Sequence, residues 1–104
     1  LKPIASVARV AHLGEEKMKI KVEKPTAEQI AEMKKCATWS KEESVFDWEY
    51  DMEETCYLVD GEVRVTTDDG VVVAFGKGDM VTFPKGLKCV WDVRKPVHKH
   101  YRFD

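Results

Sequence analysis

The stretch "GDMVTFPKGLKCVWD", residues Gly78 to Asp92, decides how the chain is read. Met80 to Phe83 is a short apolar run with β-branched and aromatic residues, and Pro84-Lys85-Gly86 ends it. Leu87, Cys89, Trp91 and Val93 then alternate with Lys88, Val90, Asp92 and Arg94. A run bounded by Gly and Pro, then a period of two, predicts strand, tight turn, strand, the second strand having one apolar face.

The same grammar extends outward in both directions. Upstream, Val45 to Tyr50, Thr55 to Val59, Val63 to Thr67 and Val71 to Phe75 read as strands. The last three end in turn at Asp60-Gly61 and Asp68-Asp69-Gly70, both hairpin signals, and at Gly76-Lys77-Gly78. Downstream, Lys95-Pro96 divides Leu87–Val93 from a final strand, Val97 to Phe103. Seven strands linked by hairpins predict an all-β sandwich or barrel. One helix precedes them. Thr26 and Gln29 form a capping box, and Ile30 and Met33 lie on one face of a short helix ending near Lys35. Before it, Met18 to Glu23 alternates apolar and charged residues, as a half-buried strand does.

The 104 residues make one domain, large enough for a core without disulfide staples. Residues 1–17 read as an N-terminal extension. Leu1 to Leu13 carries Lys2, Ser6, Arg9 and His12 and no acid, in the manner of the tail of an organellar transit peptide. Its alternation reads equally as a strand. The domain proper is expected over residues 18–104. The net charge is −2, with acids and bases interspersed, which points to no nucleic-acid or membrane partner. Three cysteines, Cys36, Cys56 and Cys89, do not form a disulfide framework, so an intracellular, reducing compartment is expected.

From Val45 to Phe103 the turns and their spacing resemble the cupins, small jelly-roll β-barrels. Gly78, Pro84 and Gly86 fit the family's second motif without a gap, and Glu54 and Gly61 have the closing spacing of the first. The stretches "FDWEYDMEETCYLVDGEV" and "KHYRF" resemble more narrowly the cupin domain of ureidoglycine aminohydrolase and its short plant and bacterial relatives. The resemblance implies a cupin jelly-roll barrel with one short N-terminal helix. It also implies a homodimer, because cupins commonly pair edge to edge, and a plastid location, because small plant cupins occur there. The family holds a metal with three histidines and a glutamate. Here Trp48 and Tyr50 stand at two histidine positions and Cys89 at the third, so only Glu54 remains.

Strand parity places the candidate site. Trp48 and Tyr50 share a face, Cys56 follows Glu54, and Leu87, Cys89 and Trp91 share the later face. A ligand pocket lined by Trp48, Tyr50, Glu54, Cys89 and Trp91 is therefore expected, with Cys56 near its wall. Glu54 is the best catalytic candidate, since a carboxylate buried among aromatic rings is costly unless paired or protonated, and Tyr50 is its one plausible partner on that face. No cofactor is favoured. Were a divalent metal such as zinc, iron or manganese bound, Glu54 and Cys89 are its candidate ligands, with a phenolate from Tyr50. Cys89 has no histidine base and no cation on its own face, so a buried thiol acting as a small hydrophobe is expected. His98 and His100 are expected to be exposed beside Lys99, with Tyr101 and Phe103 facing inward.

Three functions follow. The first is a small-molecule binder without the usual histidine metal site. The second is a metalloenzyme acting on a small nitrogen- or carbohydrate-containing metabolite through Glu54 and Cys89. The third is a filled barrel with a structural, oligomeric role.

Overall fold

The computed structural model describes residues 19–104. The expected extension over residues 1–17 and the first residue of the expected Met18–Glu23 strand lie outside them. The elements are β1 (Lys21–Glu23), α1 (Ala27–Met33), β2 (Ala37–Lys41), β3 (Ser44–Glu49), β4 (Glu54–Thr67), β5 (Val72–Gly76), β6 (Met80–Phe83) and β7 (Lys88–Phe103). In α1 the Thr26 hydroxyl accepts from the Gln29 backbone, the Gln29 side chain accepts from the Thr26 N–H, and Met33 anchors the helix in the interior.

The long strands β4 and β7 pair antiparallel along nearly their whole lengths, from Glu54 opposite Phe103 to Thr67 opposite Cys89. Each half of this ribbon acquires different neighbours. At one end β4 takes β6, which in turn takes β1, and β7 takes β2; at the other end β4 takes β5 and β7 takes β3. The ribbon bends midway, and its halves bury their inward faces against each other. Cys56, Leu58 and Val97 from one half meet Val63, Val65, Trp91 and Val93 from the other in a single core. This is a jelly roll, as expected.

The bend corrects two expected turns. Asp60-Gly61 is not a hairpin, and Lys95-Pro96 does not end a strand. The register slips between Leu58 and Val63 as a series of bulges inside one continuous pair. Gly61 sits there at φ +116°, and a Cβ on it would lie 2.7 Å from Val97 Cα. Only glycine allows so close a crossing in that backbone conformation. Pro96, which has no N–H to donate, lies opposite the slip, where the ladder is interrupted anyway. A further strand, β2, follows α1 after only three residues and was not anticipated; Trp39 faces inward from it and is half-buried.

Candidate functional site

The Pro84–Gly86 turn positions the first site residue. Gly86 N–H donates to the Tyr50 carbonyl at 2.6 Å, and Tyr50 N–H donates to the Leu87 carbonyl at 2.9 Å. The strand entering at Leu87 thus grips Tyr50 just beyond the end of β3. The Tyr50 ring stacks on Phe83 at 4.6 Å, nearly parallel, and its hydroxyl accepts from Trp91 Nε1 at 3.1 Å. Burial, and secondarily the Glu54 carboxylate, push the Tyr50 phenol far above its ordinary value. It stays a neutral hydroxyl, so it offers neither a phenolate ligand nor a general base.

Trp48, Tyr50, Glu54 and Trp91 line one cavity of about 190 Å³. Trp39 and Phe46 complete its aromatic wall; Trp39 meets Trp91 edge-on at 5.9 Å, and Phe46 stacks on Trp91 at 6.0 Å. Trp48, 46% exposed, and Phe103 mark the mouth.

The polar part of the wall is a buried ion pair. Lys99 Nζ donates to Glu54 Oε2 at 2.6 Å, with the two side chains 6% and 5% exposed. The ammonium also lies 5.0 Å from the centroid of the Trp39 ring and 4.9 Å from that of Trp91. Lys99 pairs with Trp39 across the β2–β7 ladder and with Leu58 across the β4–β7 ladder, so all three side chains share the inner face. Among the described residues, neither head group has another hydrogen-bond partner. Two ammonium N–H groups and Glu54 Oε1 therefore remain available at the cavity wall.

Lys99 is not among the residues that the motifs point to. The alternation that buries Leu87, Cys89, Trp91 and Val93 nevertheless resumes at Val97 and Lys99 after the bend. The same parity was a usable signal. His98 and His100 are half-buried on the opposite face, not exposed: His98 Nδ1 lies 2.6 Å from Ser40 Oγ and His100 Nδ1 3.0 Å from the Cys36 carbonyl. Tyr101 does face the cavity, and Phe103 lines its mouth while 51% exposed.

Cys89 does not join Glu54. It pairs with Trp48 across the β3–β7 ladder and lines a wider, more open depression of about 610 Å³, together with Thr67 and Asp68. Burial pushes its thiol up to about 11, with the Asp68 carboxylate adding to the effect, and burial pushes Cys56 to about 12. Both are protonated core thiols at neutral pH. The metal implied by the family resemblance does not fit these residues. Glu54 is already neutralised by an ammonium at hydrogen-bond distance, Cys89 opens elsewhere, and Tyr50 is held neutral. Among the described residues, no three His, Cys, Asp or Glu side chains cluster as metal ligands would.

A bent β4–β7 ribbon closed into a jelly roll, with an aromatic cavity between its halves, is the architecture of a single-domain cupin. The family model of the EutQ-like cupin domain matches residues 28–101, and the chain belongs to that family. Among solved structures, a DUF861-family protein from Thermotoga maritima is 52% identical, with a TM-score of 0.80 over 83% of this chain and 100% of that one. The EutQ protein of Clostridium difficile is 27% identical, with a TM-score of 0.59 over 64% of this chain and 52% of that one. A DUF861-family protein from Pseudomonas syringae, 22% identical with a TM-score of 0.58 over 64% of this chain and 29% of that one, shares the fold. No curated protein sequence matches the chain.

Proposed function

We propose that this cupin binds a small organic molecule in the cavity between its sheets and needs no resident metal to do so. The observation that carries the reading is the Glu54–Lys99 pair. A buried ion pair is sustained only when its remaining donors and acceptors are satisfied, and here three of them have no hydrogen-bond partner among the described residues while both residues line a cavity. Aromatic walls with a few convergent polar groups are how small-ligand sites are generally built. At about 30 Å³ per water-sized group, 190 Å³ admits an occupant of about six non-hydrogen atoms.

The cavity argues against a filled barrel. The metalloenzyme alternative, with Glu54 and Cys89 as ligands, loses support because the two residues line different depressions. Metal-free acid–base chemistry at Glu54 would need a second proton carrier, and Lys99, not Tyr50, is the group in reach. The closer likeness to the ureidoglycine aminohydrolase cupin group, a plastid location and a homodimer belong to the same reading. The first and the third rest on the family resemblance, and the second also on the acid-free N-terminal segment.

Two measurements on untagged protein test the reading. Elemental analysis should find substoichiometric metal; one equivalent that disappears in Glu54→Gln would overturn it. In 1H–15N spectra, the indole signals of Trp39, Trp48 and Trp91 should shift saturably with at least one of glycerol, ethylene glycol and imidazole, none larger than six non-hydrogen atoms. Silence of all three indoles throughout would also overturn it.

A further inference from the structure

We infer that Lys99 supplies, from within the chain, the positive charge that a metal would otherwise provide beside Glu54, and that the resulting neutral dyad selects small uncharged ligands carrying an acceptor next to a donor, as a carboxamide does. The inference rests on the binding reading above and names its ligand class.

The argument starts from charge balance. Glu54 and Lys99 cancel within one hydrogen bond, and both side chains are more than nine-tenths buried. A ligand with a net charge would bring it into this enclosed space with no counter-charge left to meet it, which is strongly unfavourable at low dielectric. An anion also faces the π-surfaces of the wall, whose quadrupoles repel it. A cation meets the ammonium already lying between Trp39 and Trp91.

The open hydrogen-bonding positions then set the complement. Lys99 Nζ has two N–H groups to give, and Glu54 Oε1 has lone pairs to receive. One neutral molecule satisfies both when its oxygen accepts from Lys99 and its N–H or O–H donates to Glu54. A planar carboxamide does this with adjacent atoms, and its flat face stacks on the indoles. No bond is made or broken in this step.

The test uses three probes of similar size and different charge: propionamide, propionate and propylammonium. Each is titrated into the full chain while the Trp39 and Trp91 indole signals are followed. Propionamide is expected to bind at least about tenfold more tightly than either ion. Glu54→Gln keeps a hydrogen-bond partner for Lys99 but leaves its charge unmatched, so the preference should move to propionate. Lys99→Met should move it to propylammonium. Preference of the wild-type protein for an ion, or a Glu54→Gln variant that still prefers propionamide, would overturn the inference and leave the binding reading intact. So would silence of all three probes while glycerol or imidazole binds. Silence of every molecule would overturn both.

Discussion

Replacing Lys99 by methionine keeps a flexible chain of similar length against Trp39 and Trp91 but removes the ammonium from Glu54. The carboxylate is then buried without a counter-charge. Taking one partner out of a buried pair costs about 3–5 kcal/mol, most of it the uncompensated charge. Losing the cation–π contacts adds about 0.5–2 kcal/mol. A domain of this size has only about 5–15 kcal/mol to lose, and each kcal/mol moves the midpoint by roughly 4–8 °C. The variant is therefore expected to melt at least 12 °C or so lower, at roughly 3 kcal/mol or more of lost stability. Lys99→Met combined with Glu54→Leu removes both charges and should recover to within about 1 kcal/mol of the parent, because apolar replacements of buried pairs are often neutral. Urea denaturation followed by tryptophan fluorescence closes the double-mutant cycle. A Lys99→Met loss below about 1 kcal/mol would refute the reasoning, as would further destabilisation on adding Glu54→Leu.

Gly61→Ala should destabilise more than Gly78→Ala. At either position, both of positive φ, an alanine would carry about 1–3 kcal/mol of backbone strain, but only at Gly61 does the new Cβ meet Val97 Cα at 2.7 Å; equal losses in urea melts would show that the ribbon does not cross so closely. Tyr50→Phe keeps the stack on Phe83 but strands the buried Trp91 N–H, for a loss of about 1–3 kcal/mol by the same assay; a neutral change would refute the bond's role. Because burial raises Cys89 to about 11 and Cys56 to about 12 from 9.0, the folded state keeps protons that the unfolded chain gives up, and stability should decline as pH climbs above about 9. Iodoacetamide labelling of Cys89 in the folded protein should accelerate about tenfold per pH unit up to about pH 11, and a plateau near pH 8 would contradict its burial.

The jelly roll was legible because its turns are written in local chemistry. Gly70, Gly78 and Gly86 all adopt the positive φ that their turns demand, and the strands between them begin and end close to where those turns put them. Asp60-Gly61 has the same local signature as a hairpin, yet β4 runs through it. What distinguishes the two cases is the long pairing with β7, which a local reading does not contain. β2 was missed for a related reason. Ala37 to Lys41 is short and only half apolar, and it is a strand because β7 offers it an edge. At the site, parity brought Trp48, Tyr50, Glu54 and Trp91 to one cavity. It did not separate Cys89, which shares the face of Trp91 but sits two residues nearer the end of the barrel, where the other depression opens.

Lys99 ties the departures from the usual ligand set together. Aromatic residues at Trp48 and Tyr50 and a thiol at Cys89 would leave a lone buried carboxylate if nothing else had changed. Such a carboxylate is tolerable only when protonated or matched by charge. The matching charge comes from β7, near the chain's end and outside both motifs, and its ammonium rests on Trp39 and Trp91, rings that stand at none of the three histidine positions. A divalent cation placed against Glu54 would meet this ammonium at like charge, which disfavours holding both at one carboxylate. The rings, the lysine and the retained glutamate therefore form one solution: a charge-neutral polar patch, fixed by packing, in a cavity that keeps the cupin frame and changes what it can hold.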